Sequence, residues 1–407
     1  MKVTVRELGE TEFEDSLMEL RAAAYAYDDP QFRHPEHYSH VYRWLRSHPL
    51  GDRMRRWAAF DGDKAVGHVA ALPQCYRVGG QRVVAYSPGD YMVLPGYGFQ
   101  ALSLMRTYFR ACENLVTGDM VPTVMQLERR MGAEEVGNIL YSAKLLNVSK
   151  LPVPRLPAPV EKALETLNLV DYPASTHGRS DHLPEQESTE GPPASGEQQA
   201  PPMRPRMPIP EPLKKLMNRG LEAADGVLGT MSGKGLAVEV IEEFDESFDE
   251  LFEAVAAVVP CVAEKDAAFL RWRYGPDSPQ APVTVLGVRS GEELLGYAAL
   301  AVTSTGEDGY VLDLTTLPGR HDVARALLRE VVRFLRESGA QITRYRFIQS
   351  PASPRSSDLR RLGFFSRGGK RTMFLVKFAD QSLHEKALHL DNWSYGLGDG
   401  ELTFWLR

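Results

Sequence analysis

Two aspartates head the same short segment in different halves of the chain: Asp90 begins DYMVLPG and Asp313 begins DLTTLPG, each five residues before a proline. A carboxylate so placed can take a proton from an attacking group. It can equally begin a strand or cap a turn. Two Arg-Trp pairs recur in the same way, Arg43-Trp44 in YRWLRSHP and Arg271-Trp272 in LRWRYGPDSP. A tryptophan can wall a substrate while the arginine clamps an anion, but recurrence in both halves favours packing, with tryptophan buried and arginine outward. The segment RHPEHYSHVYRWLRSHP holds four of the ten histidines, His34, His37, His40 and His48. Its HxxH spacing lacks a third ligand, so a surface or substrate-facing helix is the reading and no metal is assigned. Cys75, Cys112 and Cys261 share no CxxC spacing. They read as reduced cytosolic thiols, with a nucleophilic role for one of them left open.

The elements that position these residues repeat along the chain. Phe13, Glu14 and Asp15 return as Phe248, Asp249 and Glu250; GDKAVGHVAAL from Gly62 returns as GEELLGYAAL from Gly291. The match at DYMVLPG and DLTTLPG runs on to Leu104-Met105-Arg106 and Leu327-Leu328-Arg329, and Arg130-Met131-Gly132 returns as Arg361-Leu362-Gly363. All anchors keep their order, at offsets between 223 and 235 residues, as duplication followed by loop insertion would leave them. The expected organisation is a first domain over 1–150, a linker over 151–235, a second domain over 236–380 and a C-terminal tail over 381–407. The linker is rich in Pro, Glu, Gln and Ser, too polar to offset the entropy of ordering. Within it, apolar residues at helical spacing predict an amphipathic helix over 210–231, which packs on a domain or docks a membrane surface or partner.

Each copy reads as a mixed α/β domain. In the first, a strand VTVREL and two helices near 13–24 and 37–47 precede the strands MRRWAAF and KAVGHVAAL, then a hairpin CYRVGGQRVVAY, a helix near 100–112, a strand LVT, a helix ending at Gly132 and a strand near 140–146. In the second, VTVLGVRS, LLGYAALAV and GYVLDLTTL are strands, DVARALLREVVRFLRESG is a helix, and ITRYRFIQS and RTMFLVKF close the sheet.

This order of elements resembles the GNAT acyltransferase superfamily, in both copies. The resemblance implies an acyl-CoA, acetyl-CoA or a longer one, as co-substrate, with its pyrophosphate on backbone amides at the turn after the fourth strand, where small side chains let phosphate approach. Carried onto this chain, that turn comprises Val93, Gly98, Phe99, Gln100, Ala101 and Ser103, with Ala101 and Ser103 at the close-approach positions. The second copy offers His321, Ala324 and Ala326, and the first copy, loosened by Gly96 and Gly98, is the better candidate. The superfamily also places a carboxylate in the cleft from that strand, which makes Asp90 and Asp313 the catalytic candidates. Many members protonate the departing thiolate with a tyrosine on the next helix; Leu127, Glu128, Leu359 and Arg360 supply none here.

Charge and composition narrow the partners. The formal net charge of −7 argues against nucleic acid. No run of about 18 apolar residues occurs, and the acidic start MKVTVRELGETEFED is unlike a signal peptide, so a cytoplasmic protein is expected. The function these readings imply is an acyl-CoA-dependent N-acyltransferase acting on an amine of a small-molecule or cell-envelope, glycan-linked acceptor. A Fem-type aminoacyl-tRNA-dependent transferase and a non-catalytic binding protein are the alternatives.

Overall fold

Short apolar segments separated by glycine turns fold here as hairpins whose strands run into one mixed sheet. The computed structural model describes residues 3–9, 15–24, 35–118, 122–149, 211–230, 235–280, 282–366 and 372–400. His34, the Phe13 end of the first repeat and linker residues 150–210 lie outside the described residues. The first half runs β1 (Thr4–Glu7), α1 (Asp15–Ala24), α2 (Pro35–Arg46), β2 (Arg55–Asp61), β3 (Lys64–Val78), β4 (Gln81–Val93), α3 (Gly98–Ala111), β5 (Leu115–Gly118), α4 (Pro122–Arg130) and β6 (Glu134–Leu145). After α5 (Glu211–Thr230) come β7 (Glu239–Val240), α6 (Glu246–Ala256), β8 (Cys261–Ala263), α7 (Ala267–Tyr274), β9 (Thr284–Ser290), β10 (Glu293–Val302), β11 (Asp308–Thr316) and α8 (His321–Glu337). The chain then forms β12 (Ile342–Ile348), α9 (Ser356–Arg361), β13 (Phe365–Ser366), β14 (Thr372–Lys377), α10 (Gln381–Ala387) and β15 (Trp393–Gly396). The fold class is the mixed α/β one expected. Among the described residues, no helix is long and apolar enough to cross a membrane.

KAVGHVAAL and CYRV, read as separate strands, are one strand of 15 residues, β3. Pro73 sits within it without breaking it. Strand β3 pairs with β2 as far as Ala71 and with β8 only from Tyr76, so the missing proline N–H falls where that edge has no partner. The turn into β4 uses Gly79 and Gly80 at φ of +58° and +82°, the left-handed pair that a two-residue hairpin needs.

The chain forms two compact units, Met1–Asn147 with Leu221–Arg407, and Val148–Gly220. In the smaller unit, the Asn218 carboxamide accepts from the Val148 amide at 2.9 Å and donates to the Ser149 hydroxyl at 3.1 Å. The larger unit holds the first half of the chain, to Asn147, and the second, from Leu221. They exchange their last strands: β14 of the second half pairs with β5 of the first, Lys377 opposite Leu115, and β6 of the first pairs with β12 of the second, Leu145 opposite Ile342. Each half therefore depends on the other to complete its sheet.

The halves also meet at Trp44 and Trp272, which stack with centroids 4.2 Å apart. Each indole N–H donates to the other's backbone carbonyl at 2.8 Å, a reciprocal arrangement, while Arg43 and Arg271 point outward. Residues 381–400, read from sequence as a tail, are built into this junction. Trp393 is fully buried, and β15 pairs in parallel with β8 and antiparallel with β12. The apolar Trp393 and Tyr395 alternate with small residues, a pattern too short to register as a strand until β8 and β12 flank it.

Candidate functional site

Strands β4 and β5 touch at one residue pair, Tyr86 opposite Leu115, and then part. Strand β4 carries a bulge beyond the parting, where Ala70 pairs with Gly89 but His68 pairs with Met92. Bulges bend a strand and increase its twist. At its centre Asp90 has φ of +50°, the only positive value at a non-glycine among the described residues. The strand leads through Val93 to Gly96, at φ of +88°, and into α3.

The start of α3 holds the sequence-derived cofactor residues from Gly98 to Ser103, and Val93 ends β4 before it. Gly98 and Phe99 are exposed, with Phe99 80% accessible, and Val93, Gln100, Ala101 and Ser103 are half-buried. Tyr91 donates to the Ala101 carbonyl at 2.8 Å, tying β4 to the turn. No acidic residue of the helix lies in this turn, where the Gln100 amide donates to the Tyr97 carbonyl at 2.7 Å.

The second half differs at both places. Strand β11 pairs with β12 through Val311 and Tyr345, and where they part β15 fills the gap. A Cβ on Gly396 would stand 3.2 Å from the Leu312 carbonyl, and one on Gly398 would overlap the Tyr274 hydroxyl at 1.9 Å, so only glycine permits this close seating. At the start of α8, Asp322 is gripped by Arg320 at 2.8 and 2.9 Å. The Arg320 bonds hold its carboxyl down at about 2. The second half's helix terminus thus already carries an anion of its own.

The two candidate aspartates are buried and paired. Asp90 meets Arg21 at 2.8 Å, His68 at 3.2 Å and a short bond from Tyr42. Burial alone would raise its carboxyl, but Arg21, His68 and Tyr42 hold it below the usual range. Asp313 accepts from Tyr297 at 2.8 Å, Thr315 at 3.0 Å and Lys265 at 3.1 Å. Lys265 also contacts Asp399 at 3.1 Å. Burial opposes the ammonium charge, yet the two carboxylates push Lys265 up to about 12.

A cavity of about 50 Å³ lies at the junction of the halves. Ser87, the first residue of β4 after the parting, lines it with Trp272, Arg273, His48, Asp399 and Gly400. A Cβ on Gly400 would lie 3.7 Å from the Gly118 carbonyl at the end of β5. The cavity therefore sits beside the parting of β4 and β5. His48 is kept neutral there, its imidazole lowered to about 4 by burial and then by Arg273. His40 lies apart, 2.9 Å from the Asp277 carbonyl. All three cysteines are buried, and burial pushes each thiol up to about 12, so none is poised as a thiolate.

No protein-family model and no curated protein sequence matches this chain. Solved structures do. A protein described as a probable N-acyltransferase from Enterococcus faecalis is similar over 95% of this chain and 74% of its own, at a TM-score of 0.50 and 11% identity. A GCN5-related N-acetyltransferase from Kribbella flavida matches over 94% of this chain and 72% of its own, at 0.52 and 13%. Saccharomyces cerevisiae N-myristoyltransferase, solved with bound myristoyl-CoA, matches over 93% and 82%, at 0.51 and 11%. The chain has the GNAT fold. Within that fold the turn singled out in the sequence lies at the start of α3, beside the parting of β4 and β5. Asp399, on the cavity wall, and Lys265, bound to it, were not singled out in the sequence. Asp399 reads as part of a surface Asp-Gly turn and Lys265 as a polar residue before a helix cap; only the return of the chain into the sheet buries them.

Proposed function

We propose that this protein is an acyl-CoA-dependent N-acyltransferase whose donor lies in the first half, between β4 and β5, with its pyrophosphate on the amides of α3 from about Phe99 to Ser103. One observation carries the choice of half: the first parting is open to the central cavity and its helix terminus is free of acid, whereas the second is occupied by β15 and Asp322. An acyl-CoA, acetyl or longer, is the donor class, in keeping with the myristoyl-CoA held by the yeast structural neighbour. The acceptor is an amine on a small molecule or envelope glycan that reaches the thioester through the cavity, whose 50 Å³ forms the inner end of a larger site. Asp90 then serves the site indirectly, by fixing the bulge that parts the strands.

In the reaction the acceptor nitrogen attacks the thioester carbonyl, the N–C bond forms, the C–S bond breaks and the electron pair leaves on sulfur. Replacing Ala101 with glutamate puts bulk and negative charge at the phosphate position. Calorimetric titration with acetyl-CoA is expected to show at least tenfold weaker binding for Ala101→Glu and unchanged binding for Ala324→Glu. The reverse pattern would move the donor to the second half; equal affinity in both variants and the parent would remove the pyrophosphate site from α3 altogether.

A further inference from the structure

We infer that Asp399 is the base that takes the proton from the acceptor, with Lys265 and Asp313 as the residues that position it. The inference rests on the acyltransferase reading above and adds a residue that neither the sequence motifs nor the structural neighbours indicate. Three observations support it. Asp399 lines the cavity beside the β4–β5 parting. Its Oδ2 is anchored, accepting from the Gly396 amide at 2.8 Å and from Lys265 at 3.1 Å. Its Oδ1 is buried with no hydrogen-bond partner among the described residues, an arrangement that costs free energy unless something else uses that oxygen.

The candidate aspartate Asp313 is not so placed. Tyr297, Thr315 and Lys265 occupy its oxygens, and it does not line the cavity. Its contribution is to share Lys265, so that one ammonium faces two carboxylates. Burial raises the Asp399 carboxyl, repulsion from Asp313 adds to this, and Lys265 opposes it. A carboxylate raised in this way is a stronger base than an exposed one.

The other groups facing Asp399 keep fixed protonation states near neutral pH. From α7, Arg273 donates to the Gly400 carbonyl at 2.5 Å, and Tyr274 is held protonated by burial. From β3 and β12, Tyr76 and Tyr345 are likewise pushed up by burial, with the Asp399 charge adding to the effect. His48, which also lines the cavity, is kept neutral by burial. Asp399 is the carboxylate on the cavity wall with an oxygen left to take a proton. As the nitrogen attacks and its bond to the acyl carbon forms, the N–H proton passes to Oδ1, the C–S bond breaks, and the thiolate leaves to be protonated by solvent.

The test uses the full chain with acetyl-CoA as donor and water and hydroxylamine as probe acceptors, reading free thiol and, separately, calorimetric binding. Asp399→Asn is expected to bind acetyl-CoA as the parent does and to release thiol about 100-fold more slowly. Lys265→Met is expected to move the inflection of the parent's pH–rate profile upward, which a purely structural lysine would not do. Bound coenzyme with release within threefold of the parent overturns the assignment. If Asp399→Asn fails to bind coenzyme, Asp399→Glu decides: recovered binding with recovered release supports the base, recovered binding without release overturns it, and no binding makes Asp399 structural and also overturns it. A parent that binds acetyl-CoA but releases no thiol to either acceptor overturns it too. A parent that binds no acetyl-CoA at all removes the acyltransferase reading itself.

Discussion

Replacing Asp90 with alanine is expected to lower the unfolding free energy by about 3–5 kcal/mol, the usual penalty for leaving one member of a buried ion pair behind. Asp90 and Arg21 are 5% and 1% accessible, so solvent cannot replace the lost partner. The left-handed backbone at this position adds strain for alanine, which Asp or Asn tolerates better. Removing both charges in Arg21→Met/Asp90→Ala is expected to cost less than the two single changes summed, because the uncompensated charge is gone. Urea unfolding of the four proteins measures this, and a loss below about 1 kcal/mol for Asp90→Ala would show that the pair is not what fixes the bulge. The acid side has a definite sign. The folded-state carboxyl is held below its ordinary value, so its stabilisation is present above the unfolded pKa of 3.8 and is lost as pH falls through the folded value.

Glu128 works in the opposite sense. It is fully buried on α4, neither oxygen has a hydrogen-bond partner among the described residues, and burial pushes its carboxyl up to about 8, with little offset from the Thr117 hydroxyl nearby. A folded-state value above the unfolded 4.5 means that stability is fully present below 4.5, falls as pH rises, and has been lost once pH passes about 8. The interval corresponds to roughly 5 kcal/mol. Glu128→Gln is therefore expected to match the parent near pH 4.5 and to exceed it by about that amount near pH 9, in denaturant midpoints taken across the range. A constant difference between the two proteins at every pH would mean that Glu128 ionises freely in the fold.

Much of the architecture was legible in the sequence because it is local. Alternation in VTVLGVRS and LLGYAALAV, the Gly79-Gly80 turn and the amphipathic run of α8 each mark their element without help from the rest of the chain. Boundaries moved where a distant partner decided them: β3 continues across Pro73 because β2 stops short of it and β8 begins beyond it. The exchange of β6 and β14 between halves left no trace in periodicity, since strand alternation says which face is buried and not which strand lies alongside.

The same limit shaped the site. Small residues at Ala101 and Ser103 are a local property of the turn, whereas Asp322, one residue into α8, reads as an ordinary first-turn acid until Arg320 closes on it at 2.8 and 2.9 Å. The network of Lys265, Asp313 and Asp399 joins residues 48 and 86 positions apart in sequence. Only the fold brings them together. The repeated Arg-Trp pairs gave their packing role through recurrence, and the reciprocal bonds of Trp44 and Trp272 show its physical form.

Amide hydrogen exchange of the full chain with and without acetyl-CoA tests the placement of the donor most directly. Slowed exchange is expected at amides 98–103 of α3 and along 115–118 of β5, with no change at 319–326 around the start of α8. Protection confined to 319–326, or no protection at a concentration that saturates the calorimetric signal, would contradict a donor site between β4 and β5.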